Sequence, residues 1–96
     1  MAEAERNRQE EMAAQARRQH LDSLAGRESE IWTKIDGLIA IKQSRSYDEA
    51  VQHLKDLRDL AARVASQPDF CSRVGAIRSA HPAKRGFLDR LQREGL

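Results

Sequence analysis

Apolar side chains recur at intervals of three and four along most of the chain beyond residue 30, a spacing that predicts helices and not strands. Ile31, Trp32, Ile35, Leu38 and Ile39 make one stripe, and Tyr47, Val51, Leu54, Leu57, Ala61 and Val64 make a second. Between them SerArgSer interrupts the pattern. Ser46 followed by Glu49 has the spacing of a capping box, which places the start of the second helix at Ser46. On its outward side Lys55, Arg58, Asp59 and Arg63 are expected in solvent, with Lys55 and Asp59 as an i,i+4 pair and Asp56 beside Asp59 as a solvated acidic face. The stretch from Trp32 to Leu60 therefore predicts a helical hairpin.

SerGlnProAsp at 66 to 69 closes that hairpin and opens another helix, because Pro68 suits the first helical position and Asp69 the positive end of the helix dipole. Phe70, Val74, Ile77 and His81 then supply its inner face. HisProAla at 81 to 83 repeats the device with Pro82, and Phe87, Leu88 and Leu91 line a fifth helix that ends at Gly95, with Leu96 tucked back.

Residues 2–25 are rich in Ala, Glu, Arg and Gln, all good helix formers, but Met12, Leu21 and Leu24 are their only sizeable hydrophobes. So narrow a stripe gives a lone helix little to pack on, and fraying is expected before about Met12. At Gly26 two readings stand. Glycine favours the residue just past a helix end, with Ser29 then opening the next helix. Alternatively, heptad positions Leu21, Glu28, Ile35 and Leu24, Ile31, Leu38 continue one seam through Gly26, giving a single helix from about Ala2 to Gln43. The resulting expectation is an all-α protein, with a charged helical arm over 1–28 and, over 29–96, a compact four-helix bundle of antiparallel hairpins.

Ninety-six residues hold one small core, and 40% hydrophobic, 33% charged and 4% aromatic residues describe a helical protein with little bulky core material. No run approaches the roughly 20 apolar residues of a membrane span, and the polar N-terminus does not read as a secretory signal. One cysteine, Cys71, cannot form an intrachain disulfide, so a reduced, cytoplasmic setting is expected. A net charge of +2 is small, but the last 26 residues hold 6 basic and 2 acidic groups.

The hairpin has the layout of a tetratricopeptide-like unit, with Trp32 early in one helix and Tyr47 and Ala50 at the start of the next. The spacing from Trp32 to Ala50 is two residues longer than that repeat uses, and the glycine–tyrosine pair of its first helix is absent. A longer likeness runs through Trp32, IleAspGlyLeuIle at 35 to 39, TyrAspGluAlaVal at 47 to 51, LeuLysAspLeuArgAspLeuAla at 54 to 61, Phe70, IleArgSerAlaHis at 77 to 81, Lys84 and PheLeuAspArgLeu at 87 to 91. In that order of residues the chain resembles the helical C-terminal segment of actinobacterial SWIM zinc-finger proteins and related uncharacterised proteins. The resemblance implies a bacterial or phage-like helical accessory module. It does not bring the zinc centre, which needs three cysteines and a histidine where this chain has only Cys71.

Candidate chemistry is sparse. His20, His53 and His81 are isolated from one another and from Cys71, so neither a thiol–imidazole pair nor a metal-ligand spacing forms, and Cys71 is expected to be a buried or half-buried inert thiol. Neither catalytic residues, cofactor, metal nor small-molecule substrate is expected. Two binding surfaces remain. Leu21, Leu24, Ile31, Ile35 and Leu38 would form a seam for a protein partner or a second copy of the chain, with the alternative that they pack within the chain. Arg73, Arg78, Lys84, Arg85, Arg90 and Arg93 crowd the last two helices, a basic patch suited to nucleic acid or to an acidic protein. The chain therefore reads as a non-enzymatic interaction or assembly module, with nucleic-acid binding as the alternative.

Overall fold

A computed structural model describes residues 2–96, with side chains from residue 4. The described residues form five helices and no strand: α1 (Ala2–Leu24), α2 (Glu28–Ile41), α3 (Ser44–Arg63), α4 (Gln67–Ala80) and α5 (Arg85–Arg93). None of these helices is long and apolar enough to cross a membrane. The all-α expectation holds.

α3 is the hub, with α1, α2, α4 and α5 each packed against it. It earns that place by carrying the widest apolar face, Ala50, Val51, Leu54, Leu57, Leu60 and Ala61, all buried. α2 contributes Ile31, Trp32, Ile35 and Ile39, α4 Phe70 and Val74, and α5 Phe87 and Leu91, whereas α1 adds only Leu21. Two aromatic contacts join these layers. Trp32 meets Phe70 at 6.0 Å between ring centroids and Tyr47 meets Phe87 at 5.6 Å, both tilted.

Helix boundaries differ from the sequence reading at three places. α3 begins at Ser44 after an extended Gln43, and Ser46 is buried instead of capping the helix. Val64 is 73% exposed because the helix ends at Arg63 and the chain turns through a left-handed Ala65 (φ 54°), which swings Val64 off the inner face. Pro82 lies in a turn closed by the Lys84 amide on the His81 carbonyl (3.2 Å), and α5 starts only at Arg85. At the end, Gly95 (φ 71°) lets the Leu96 amide reach the Leu91 carbonyl at 2.8 Å, which folds Leu96 back onto the core.

Of the two readings at Gly26, the break is the one adopted. Gly26 has φ 87°, Arg27 donates to the Leu24 carbonyl at 2.9 Å, and the Gly26 amide donates to the Glu28 carboxylate at 3.2 Å. α1 nevertheless runs as helix from Ala2, where fraying was expected before Met12. Its Ala, Glu, Arg and Gln content favours helix over other local conformations.

The molecule measures 51 × 26 × 20 Å, and its radius of gyration is 15.4 Å. A compact domain of this length has a radius of gyration of about 12.5 Å. The excess comes from α1, whose residues 4–16 are all exposed while Arg17, Leu21 and Leu24 touch the body. α1 is an arm fixed at its C-terminal third.

Candidate functional site

The arm is fixed by charged contacts as well as by an apolar anchor. Arg17 and His20 lie on one side of α1 with Leu21 and Leu24, because i,i+3 and i,i+4 positions share a helical face. Leu21 enters the core and Leu24 packs on its edge. Arg17 then reaches two carboxylates on α3, donating from Nη1 to Asp56 Oδ1 at 2.5 Å and from Nη2 to Asp59 Oδ2 at 2.8 Å. His20 Nε2 lies 3.1 Å from the other Asp56 oxygen. A turn further along α3, Arg63 donates to Asp22 at 2.6 Å and to the Arg18 carbonyl at 3.2 Å.

Asp56 overturns the expectation of a solvated acidic face, since it is only 3% exposed. Burial alone would push its carboxyl up, but hydrogen bonds with His20 and from Arg17 outweigh that and hold it below the usual carboxylate range. The Arg17 guanidinium is stabilised in turn, with Asp59 the largest contributor. The expected Lys55–Asp59 pair is replaced as well. Lys55 meets Glu94 at 3.2 Å, and Asp59 takes Arg17 and Arg58.

Of the five seam residues, Leu21, Ile31 and Ile35 are buried in the chain's own core, and Leu24 and Leu38 are half-buried against it. In this conformation the apolar seam is occupied from within. What α1 leaves uncovered lies further out, residues 4–16, with Met12 65% exposed.

The six basic residues do not form one free patch. Arg73 stacks over the Trp32 ring at 4.5 Å. Lys84 donates to the Ile39 carbonyl at 3.0 Å, closing the C-terminal end of α2, where Lys42 adopts φ 61°. Arg90 pairs with Asp48 at 2.6 Å and donates to the Gly86 carbonyl at 2.8 Å. Arg78, Arg85 and Arg93 lie exposed.

A groove of about 200 Å³ runs beside Trp32, between Leu60, Val64, Phe70 and Arg73. That is below the roughly 300 Å³ at which small-molecule pockets begin. Cys71 is exposed, contrary to the buried or half-buried thiol expected, because α4 buries only the Phe70 and Val74 side of its helix. Among the described residues no group of three or more His, Cys, Asp or Glu side chains is placed to hold a metal ion.

The α1–α3 cluster is what sequence reasoning missed. One signal was present: Asp56 sits one turn before Leu60, at the edge of the α3 apolar stripe, where a buried carboxylate demands a cationic partner. Nothing local indicated that the partner lay 39 residues upstream. Comparison with known proteins adds no relative, since no family model, curated protein or solved structure matches the chain.

Proposed function

We propose that the protein is a non-enzymatic assembly module in which α2 to α5 act as a four-helix scaffold and α1 presents its outer half to a protein partner. One observation carries this reading: residues 4–16 are helical yet exposed along their whole length. Isolated helices of such length are marginal in water, and an arm of this kind gains most of its stability when a second surface covers it. The seam assigned to partners from the heptad pattern therefore shifts outward, toward Met12 and its neighbours. A bacterial accessory role, as the SWIM-associated helical segments suggest, is in keeping with such a module.

Light scattering across a range of concentrations tests it. The intact chain is expected to rise above its 10.9 kDa monomer mass, and the chain lacking residues 1–16 to stay monomeric. Equal behaviour of the two would sink self-association through the outer half of α1. Nucleic-acid binding has Arg78, Arg85 and Arg93 to draw on; the engagement of Arg73, Lys84 and Arg90 within the chain places it second.

A further inference from the structure

The bend at Gly26 and the contacts beyond it have a property that the folded monomer does not use. Leu21, Leu24, Ile31, Ile35 and Leu38 keep heptad register across the break, although α1 and α2 are separate helices. The one seam position that is not apolar, Glu28, is the residue whose carboxylate accepts the Gly26 amide at the bend. Gly26 itself has φ 87° and no atom within 4 Å of where a Cβ would stand. Its glycine is therefore required by backbone conformation alone, not by space. The attachment that α1 makes to α3 is self-contained: Arg17 on Asp56 and Asp59, His20 on Asp56, Asp22 on Arg63, with Leu21 as the buried anchor.

We infer that α1 exchanges between two copies of the chain: Gly26 leaves its left-handed conformation, α1 and α2 join into one helix, and residues 17–24 of each copy dock on α3 of the other. The partner is a second copy because the docking face is already matched to it. Two anionic groups and one cationic group on α3 meet the complementary charges of α1 whichever chain supplies them. A straight helix through residue 26 carries Leu21 and Leu24 away from their own α3, and the surface this exposes is the one that the second copy's α1 fits. Only three residues, 25–27, separate the two helices, and hinges as short as this invite exchange. The inference rests on α1 as the assembling element, but it concerns residues 17–24 and leaves 4–16 aside.

Gly26→Ala is the deciding variant. Alanine is disfavoured at positive φ by about tenfold and favoured within a continuous helix, so two hinges raise the dimerisation constant about a hundredfold. Its product is identified in an Arg63→Lys background, with Gly26→Ala and without, by mixing isotopically light and heavy chains under denaturing conditions. After refolding, a zero-length carbodiimide joins the Asp22 carboxylate to the amine introduced at position 63. Exchange gives dimers whose cross-linked peptides include light–heavy pairs at the statistical half. A Gly26→Ala chain that stays monomeric, or a dimer whose cross-links are all light–light or heavy–heavy, overturns the inference. Should Gly26→Ala not refold, the Arg63→Lys chain alone is refolded at high concentration and cross-linked in the same way; light–heavy pairs then support exchange and their absence overturns it. Association lost on removing residues 1–16 but indifferent to Gly26→Ala would support the outer arm and refute exchange, and the opposite pattern would support exchange and refute the outer arm.

Discussion

Arg17 and Asp56, 39 positions apart in the chain, meet at 2.5 Å, and their contact decides where α1 lies. Asp56 is buried and Arg17 half-exposed, so removing the cation leaves a carboxylate desolvated with only His20 to answer it. Arg17→Ala is expected to lower stability by about 2 kcal/mol, within the range for charged hydrogen bonds. Asp56→Asn should cost a similar amount, and the double variant less than the sum because the two act as one unit. Urea denaturation of the four chains measures this; strict additivity would mean the pair is not coupled.

Acid should weaken the molecule in two stages. His53 is pushed below its ordinary 6.5 by burial, with Lys34 and His20 adding to the effect and Asp56 and Glu49 opposing it. The folded state therefore binds that proton less readily than the unfolded chain, and stability falls as pH drops through 6.5 toward the lowered value. Asp56, held below its ordinary 3.8 by His20 and Arg17 against the effect of burial, contributes stability that is complete above that value and lost below it. His53→Gln should flatten the upper step and Asp56→Asn the lower one, as followed by thermal unfolding against pH.

Ala65 closes α3 at φ 54°, a conformation that suits glycine better than alanine, and its side chain is exposed. Ala65→Gly is expected to raise stability by about 1 kcal/mol, since it removes the left-handed penalty without loss of packing. A destabilised Ala65→Gly chain in the same denaturant titration would contradict that account of the turn.

Much of the architecture is legible in the sequence because it is local. The three-and-four spacing of Ile31 to Ile39, Val51 to Ala61, Phe70 to Val74 and Phe87 to Leu91 places four helices and their buried faces. The charged contacts are not legible in this way. Arg17, Lys84 and Arg90 find partners 39 to 45 residues away, a distance at which no periodicity operates. Lys84 looks like a free cation in sequence and is a cap on α2 in space. Gly26 stood between two readings because heptad register favours the straight helix and glycine the bend, and a difference of about 1 kcal/mol separates them.

The basic residues of α4 and α5 give a salt-dependent test of the second reading. If nucleic acid binds there, charge reversal at Arg78, Arg85 and Arg93 abolishes retention on DNA or RNA at low salt, whereas Arg73→Ala mainly loosens packing over Trp32. The assembly account expects the unaltered chain to show no retention that falls with salt. Steep salt-dependent retention would move nucleic acid to first place.

Amide hydrogen exchange along α1 tests the central claim most directly. In dilute solution residues 4–16, exposed throughout, should exchange close to the rate of a free helix, and Leu21 and Leu24 more slowly because they are seated on α3. As concentration rises and copies associate, protection should extend outward through Met12. Residues 4–16 that are as protected as Leu21 at the lowest concentration, or that gain nothing on association, would contradict the claim that this half of α1 is the surface through which the protein assembles.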